Sequence, residues 1–447
     1  MKHHQVIFLA IALSLWAAGA SAQSAILEQY IQQGLSANAS LRQQDLEVKK
    51  AQEMLRQSRS IALPKLDFEA NYTLATGGRT LDFPIGDLLD PLYLKTFGIP
   101  SPVGNQNIQF LPNNFHETKV NVAYPLFNSD IRYNRQIQQS LLEGKMAQQA
   151  AGAHELRYQI TEAYLRYLQA IEAERLWANA RDVLLELRRF NESLVKNNVA
   201  TRDVVATADY ELSRTDQEII RLRSQQNTAR AYFNYLINQD LQQDVQVDSL
   251  LLRSAGGSYQ PDALLSQALA RRPEFAALRA GQQAADTDVR RNAANLRLPD
   301  LYIGGSFGFQ GFKYTFSKEQ AFSIGQVGLT YDLFDGGLRS SRTEVARLEA
   351  EKLRQQTVQV QQQIALQITS AWNDLQSAQQ GYRTAQTGVR AAEEIFRIVN
   401  NKYRANQVLL LEFMDAQNRL TNARLQQLLA WADVLLKEAA LKKAAGE

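Results

Sequence analysis

Where proline is missing constrains this chain more than any other feature. Its ten prolines stand at 64, 84, 91, 100, 102, 112, 125, 261, 273 and 299, so Leu126–Gln260 and Asp300–Glu447 contain none. Glycine is also absent from Ala153 to Ala255. Proline removes a backbone donor and clashes with the preceding turn, so long helices can form only where it is absent. In the first run an apolar seam passes through Ile137, Leu141, Ile160, Tyr164, Tyr167, Ile171, Val183, Leu187 and Leu194. It predicts a helix from about Asp130 to Lys196. In the second run the seam passes through Ile364, Ile368, Leu375, Tyr382, Val389, Ala392, Phe396, Val399 and Tyr403. It predicts a helix from about Leu338 to Arg404. At ~1.5 Å per residue each would be about 100 Å long, so it must pack along neighbours as a coiled coil. Taken alone, such helices fit a purely structural coiled coil equally well.

The pattern occurs twice. Ala37-Asn38-Ala39-Ser40-Leu41 opens one half and Arg271-Arg272-Pro273-Glu274-Phe275 the other. Each leads into a polar helix of roughly 20 residues. Each helix stops at a Leu-Pro, in Leu63-Pro64-Lys65-Leu66 and Leu298-Pro299-Asp300-Leu301. A β-like region follows and ends in Pro125-Leu126-Phe127-Asn128 or Asp332-Leu333-Phe334-Asp335. Then come the long helix, a break and another helix. Self-similarity in fixed order over a whole chain means duplication.

Four segments between the helices alternate with period two. They are Leu66, Phe68, Ala70, Tyr72 and Leu74; Val120, Val122 and Tyr124; Leu301, Ile303, Gly305, Phe307 and Phe309; and Val327, Leu329, Tyr331 and Leu333. A segment of about 10–12 residues at ~45° tilt covers about 25 Å, the height of a bilayer's apolar band. Aromatics near the ends suit interfacial girdles. Four strands cannot close a barrel, and lipid tolerates no open edge, so a membrane-spanning sheet of this kind must be shared between chains. The alternative is a small soluble sheet capping a helical bundle.

Composition narrows the classes further. A chain of 447 residues, 45% hydrophobic and 21% charged, can bury a large core. A net charge of +3 argues against nucleic acid as the main partner. Lys2, the apolar run Val6–Ala18 and the small-x-small site Ala20-Ser21-Ala22 read as a signal peptide over residues 1–22, with the mature chain starting at Gln23. The absence of cysteine excludes disulfides, thiolate metal sites and an N-terminal lipid on cysteine. Beyond the signal, only His116 and His154 remain, far apart. No nucleotide or hydrolase fingerprint occurs. Gly336-Gly337 reads as a strand-to-helix turn rather than a phosphate loop. Glu412 and Asp415, three apart at a helix start, read as a solvated first turn or a pore-facing ring rather than a glycosidase pair. The reading therefore includes no enzyme activity, cofactor or metal.

These features together resemble the TolC/outer-membrane efflux family over essentially the whole mature chain. The most specific stretch runs from Tyr403-Arg404-Ala405-Asn406-Gln407-Val408 through Glu412-Phe413-Met414-Asp415-Ala416-Gln417, and is similar to the family's turn at the periplasmic entrance. Asn197-Asn198-Val199-Ala200-Thr201-Arg202-Asp203-Val204 resembles the corresponding turn of the first half. Two positions depart from the pattern. Asn406 stands where the family usually has glycine, and Val408 stands where the type member carries a gate arginine.

The resemblance implies a mainly α chain with a β-barrel portion. Three protomers would form a twelve-stranded outer-membrane barrel continued by a twelve-helix periplasmic α-barrel. The homotrimer would sit in outer-membrane lipid and dock to a periplasmic adaptor and an inner-membrane transporter, serving efflux or type I secretion. In that frame residues 23–64 and 261–299 are the N-terminal helices of the two halves. The strand pairs are 65–127, with a large extracellular loop at 77–115, and 300–335. Residues 128–260 and 336–447 supply the long helices, helix pairs and equatorial segments. The resemblance also implies a periplasmic gate: Asp203 and Tyr403 at linking positions, Glu412 and Asp415 at acidic rings, and Arg202, with Arg404 as alternate, replacing the cation that Val408 lacks. A periplasmic adaptor and a non-transport structural coiled coil are the rival readings. An adaptor has no need of two duplicated helix sets, and a structural coiled coil has no use for four membrane-length strands.

Overall fold

The computed structural model describes residues 25–248, 251 and 259–447. The expected signal peptide at 1–22, and positions 249–250 and 252–258 of the expected first-half equatorial segment, lie outside the described residues. The first half reads α1 (Ala25–Ala37), α2 (Ala39–Ser60), β1 (Lys65–Thr73), β2 (Thr80–Phe83), α3 (Ile85–Phe97), β3 (Gln106–Gln109), β4 (Phe115–Phe127), α4 (Ser129–Lys196) and α5 (Asp203–Leu236). The second reads α6 (Pro261–Arg271), α7 (Pro273–Asn295), β5 (Asp300–Phe312), β6 (Ala321–Thr330), α8 (Leu338–Arg404) and α9 (Leu410–Ala445). The same helix–helix–strand–strand–long helix–helix order thus occurs twice, with β2, α3 and β3 as an excursion in the first copy only.

The chain divides into two compact units. One holds the described residues up to Ala51 with Leu141–Gln282 and Glu351–Glu447, and it is helical. Helix starts follow their caps. Asn38 accepts the Ser40 and Leu41 amides through its side-chain oxygen (2.9 and 3.3 Å), which satisfies donors at the start of α2. Its Nδ2 donates to the Leu236 carbonyl (2.8 Å), tying α2 to the end of α5. Pro261 and Pro273 open α6 and α7, where a missing N–H costs nothing.

The first-half core gathers Ile31, Ile160, Tyr164, Phe233 and Ile237, all fully buried. Tyr30 meets Phe233 edge-on at 5.1 Å. The Tyr164 hydroxyl accepts the Asp248 amide at 2.8 Å and contacts the Gln246 carbonyl at 3.3 Å, holding the chain beyond α5 against the bundle. Burial pushes that phenol up to about 12, so it stays protonated. The second-half core repeats the arrangement with Ile364, Ile368, Leu375 and Leu441. The expected α8 seam is buried or half-buried throughout. On α4 Leu141 is exposed instead.

A half-exposed pair closes α1 onto α4: Arg157 donates to both Glu28 oxygens, at 2.9 and 3.1 Å. The Arg157 hydrogen bond, opposed by partial burial, holds the Glu28 carboxyl below its ordinary 4.5. A depressed pKa makes the stabilisation complete above the ordinary value and lost as pH falls through the lowered one. Glu28→Gln should therefore lower the melting temperature at neutral pH by an amount worth at most about 1 kcal/mol. The difference from the parent should vanish in acid. A difference that persists or grows in acid would remove this account.

The second unit, Gln52–Ser140 with Gln283–Ala350, carries the sheet. Its order is β1-β4-β5-β6, antiparallel throughout. Register puts Phe68 beside Val120, Val120 beside Phe307, Leu66 beside Val122, and Ile303 beside Val327, all on one face. That face is bare: Phe68 is 72% exposed and Val327 67%. Soluble monomers rarely expose contiguous apolar patches of this extent. The opposite face is polar through the middle of β1 and β4, with Phe115, Tyr302, Phe312, Phe322 and Ile324 toward its ends and on β6. Lys119 lies 2.9 Å from Glu117 and 3.5 Å from Glu69, and Asn71 and Asn121 donate to Glu69 at 2.7 and 3.3 Å. Pro125, which has no N–H to give a ladder, falls where the β4–β5 register shifts.

Two details differ from the sequence expectation. The fourth strand is Ala321–Thr330, not a segment reaching Leu333, and residues 313–320 join it to β5. Its positions on the bare face begin with Ala321, Ser323 and Gly325. Phe322 and Ile324 point to the other face, so the apolar alternation changes phase before Val327 and the start of the strand does not extend the expected segment. Second, the excursion between β1 and β4 is structured. β2 pairs with β3, and Asn105 clasps Asp87 through two hydrogen bonds at the start of α3. Gly336 and Gly337 take φ of 65° and 89° just before α8, a turn only glycine makes without strain.

Candidate functional site

The gate candidates lie at two helix turns of the helical unit, α4 to α5 and α8 to α9. Both turns are built alike. Asn198 closes the first at φ 56° and Asn406 the second at φ 55°. Asparagine is the residue besides glycine that best tolerates this left-handed conformation. Beyond each asparagine the chain folds back on the helix end: the Val199 amide donates to Leu194 and the Gln407 amide to Lys402, both at 2.9 Å. Asn406 thus does the work of the glycine usual in the resembled turn.

Tyr403 ends α8 in a buried position. Its ring sits against Phe190 and Phe413, with centroids at 5.9 and 5.2 Å. Its hydroxyl donates to Asn191 Oδ1 at 2.8 Å. Asn191, fully buried on α4, donates through Nδ2 to the Val204 carbonyl at the start of α5 (3.1 Å). One asparagine therefore joins α8 of the second half to both first-half helices. Burial raises the Tyr403 pKa above its ordinary value, which keeps the proton that makes the bond. Leu184, Leu187, Leu212, Phe413 and Met414 enclose the pair, and Val408 packs on this cluster. An arginine at 408 would have to leave that apolar contact.

The other candidates stay near the surface. Asp203 begins α5, and its carboxylate accepts the Thr201 hydroxyl of its own turn rather than meeting Tyr403. Arg202 is exposed and has no ion pair among the described residues. Arg404 reaches Asn400 at 3.4 Å. Glu412 lies exposed in the first turn of α9, without an ion pair among the described residues. Asp415 is exposed and pairs with Arg419 at 2.7 Å. Among the described residues no hydrogen bond or ion pair joins any two of the six candidates. They share the two turns, and only Tyr403 is built into the packing.

Asn191 escaped the sequence reading although a signal was present. It falls four after Leu187 and three before Leu194, a lone amide on an apolar seam, the position where coiled coils fix register. Further ion pairs lace the helices together: Arg188 with Asp209 and Arg181 with Asp216, each at 2.5 Å, and Arg424 with Glu393 at 2.9 Å. Hydrogen bonding to Asp209 and Asp216 raises the pKa of Arg188 and Arg181 respectively.

Comparison with known proteins agrees with this architecture. Residues 264–447 match the family described as Outer membrane efflux protein. The chain is 22% identical over 468 residues to outer membrane protein TolC of Escherichia coli (strain K12), an alignment covering 98% of this chain and 85% of that protein. Its fold superposes on the outer-membrane channel OprN with a TM-score of 0.76 at 19% identity, over 94% of this chain and 90% of that one. It superposes equally well on the CmeC outer membrane channel of Campylobacter jejuni, with a TM-score of 0.76 at 16% identity, over 94% and 86% of the two chains.

Proposed function

We propose that this chain, whose residues 264–447 match the outer membrane efflux protein family, is the outer-membrane channel of a tripartite efflux or type I secretion system. The sheet carries the reading. It has four strands, both edges open, one bare apolar face and one polar face. Edges of this kind must be paired in lipid, and a barrel needs about eight strands or more. Three copies of a four-stranded sheet supply twelve. The apolar face then meets lipid, and the Glu69–Lys119–Glu117 ladder lines the bore.

The channel is a homotrimer in this reading. The strand ends that lead into helices face the periplasm, and the 77–115 excursion faces outside. Passage is passive, and substrates arrive from an inner-membrane transporter through a periplasmic adaptor. The family is one of channels rather than enzymes. The gate sits at the two helix turns that carry Arg202, Asp203, Tyr403, Arg404, Glu412 and Asp415, with Tyr403 buried between the helices. No helix among the described residues is long and apolar enough to cross a membrane.

The test is assembly. Extracted in mild detergent and left unboiled, the full chain should run as a heat-dissociable oligomer on a denaturing gel. Reconstituted in planar bilayers, it should pass ions. A monomer that remains in the soluble fraction and carries no current would overturn the channel and favour the adaptor or structural readings.

A further inference from the structure

The duplicated strand-to-helix junctions carry the same basic pattern in opposite electrostatic settings. The first reads Leu126-Phe127-Asn128-Ser129-Asp130-Ile131-Arg132-Tyr133-Asn134-Arg135 and the second Leu333-Phe334-Asp335-Gly336-Gly337-Leu338-Arg339-Ser340-Ser341-Arg342. In the second, Arg339 is paired and Arg342 shares a hollow with carboxylates. Arg339 pairs with Asp335 at 2.7 Å and donates to the Asn295 carbonyl at 3.2 Å and to that of Asp332. Asp130, Asp300 and Asp332 line the same hollow as Arg339 and Arg342. In the first, the positions of Asp300, Asp332 and Asp335 hold Lys65, Pro125 and Asn128. Arg132 and Arg135 have no ion pair among the described residues.

These two arginines open onto a groove of about 890 Å³ between α2, α4, α7 and the end of β4. Arg59 and Arg290 line it as well, and no carboxylate does. Neither makes an ion pair among the described residues; Arg290 reaches only Thr287 Oγ1 at 3.0 Å and the Asp286 carbonyl at 3.4 Å. Asp130, the nearest acid in the chain, is engaged elsewhere by Asn295 and Arg291, at 2.5 and 3.6 Å. The N-terminus of the 68-residue α4 adds its positive dipole end to the same wall. Four guanidinium groups without a counter-charge define a site for a phosphate-type anion, which the planar fork grips bidentately.

The groove has a second, apolar part. Tyr124, Leu126 and Phe127 line it. Tyr124 continues the face of β4 that carries Val120 and Val122. An occupant with its anion on the arginines could therefore run an apolar tail up the bilayer-facing sheet. An aromatic rim beside basic residues is the composition expected at headgroup level.

We propose that this groove binds the phosphate of an anionic phospholipid from the periplasmic leaflet, one per protomer, and so seats the barrel at a fixed depth. The choice of lipid over free phosphate rests on the outer-membrane reading; the anion site itself does not.

The probes are phosphatidylglycerol, phosphatidylcholine and inorganic phosphate, added to the full-length oligomer in detergent and followed by native mass spectrometry. The parent should retain phosphatidylglycerol in preference to phosphatidylcholine. Arg132→Gln with Arg135→Gln should weaken retention by about tenfold or more, since two charge-assisted bonds are lost. Arg342→Gln, the equivalent of Arg135 in the second junction, should not. Heat-stable oligomer and conductance check that each variant is assembled. Equal retention by the parent and the double variant overturns the site. Phosphate that binds as well as the lipid and displaces it overturns the lipid assignment. A protein that forms no oligomer and no current fails the channel reading instead, and is recognisable as such.

Discussion

Phe68→Arg, and separately Phe307→Arg, should remove the assembled oligomer from the outer membrane. Both residues lie on the apolar face, one on the open edge strand β1 and one on the interior strand β5, bridged by Val120 between them. An arginine facing lipid near the bilayer midplane costs about 2–4 kcal/mol. In a shared barrel each lesion is repeated in every copy, so the penalty is multiplied before the barrel closes. Folding of a single chain in water would hardly register the change, because Phe68 and Phe307 are exposed there. The control is Gln310→Arg, on the polar face opposite Glu117, which should assemble as the parent does. Membrane fractions probed on unboiled gels decide it. If both phenylalanine variants give normal oligomer, the sheet is a soluble cap and the lipid-facing assignment fails.

The contrast between those faces also shows why the architecture was legible in the sequence. A long helix and a membrane-length strand each repeat a simple rule many times, and repetition survives irregular positions. α4 and α8 follow from the missing prolines even though Leu141 turns outward from the expected seam. Phe68, Val120 and Phe307 announce their common face through alternation alone. Elements defined by a partner instead of a period were not legible. In β6 the apolar residues switch faces, Phe322 and Ile324 on one and Val327 and Leu329 on the other, so no single alternation spans the strand and its pairing with β5 defines it. The excursion holds itself by single contacts such as Asn105 with Asp87, which no window average detects. The turn chemistry at Asn406 could be anticipated from its tolerance of left-handed φ. The Tyr403–Asn191–Val204 chain could not, because it joins residues 212 positions apart through one buried amide. The two arginine junctions are of the same kind: the duplicated spelling is visible, but which groove each guanidinium enters depends on three helices packing together.

That buried amide should govern opening more than the exposed charges around it. If the entrance widens by parting α8 and α9 from α4 and α5, the Tyr403–Asn191 bond must break, since it is a buried polar link between the two halves at the turns. Asn191→Ala strands the Tyr403 hydroxyl in an apolar cluster, while the Val204 carbonyl keeps its place in the α5 ladder. A stranded buried group costs about 1–3 kcal/mol, and parting the helices would let water satisfy it. A bias of about 2 kcal/mol shifts a closed-to-open ratio roughly thirtyfold, and every copy in the oligomer carries it. Asp203→Ala removes only an exposed bond to Thr201 within one turn, worth at most about 1 kcal/mol. Single-channel conductance in planar bilayers should therefore rise for Asn191→Ala, rise less for Tyr403→Phe, and change least for Asp203→Ala. Glu412→Ala with Asp415→Ala should act differently, weakening cation selectivity while leaving the open probability near the parent's, because these carboxylates charge the opening without holding it shut. An assembled Asn191→Ala channel with parental conductance, beside an Asp203→Ala channel that gapes, would move the latch from the buried amide to the surface of the turns.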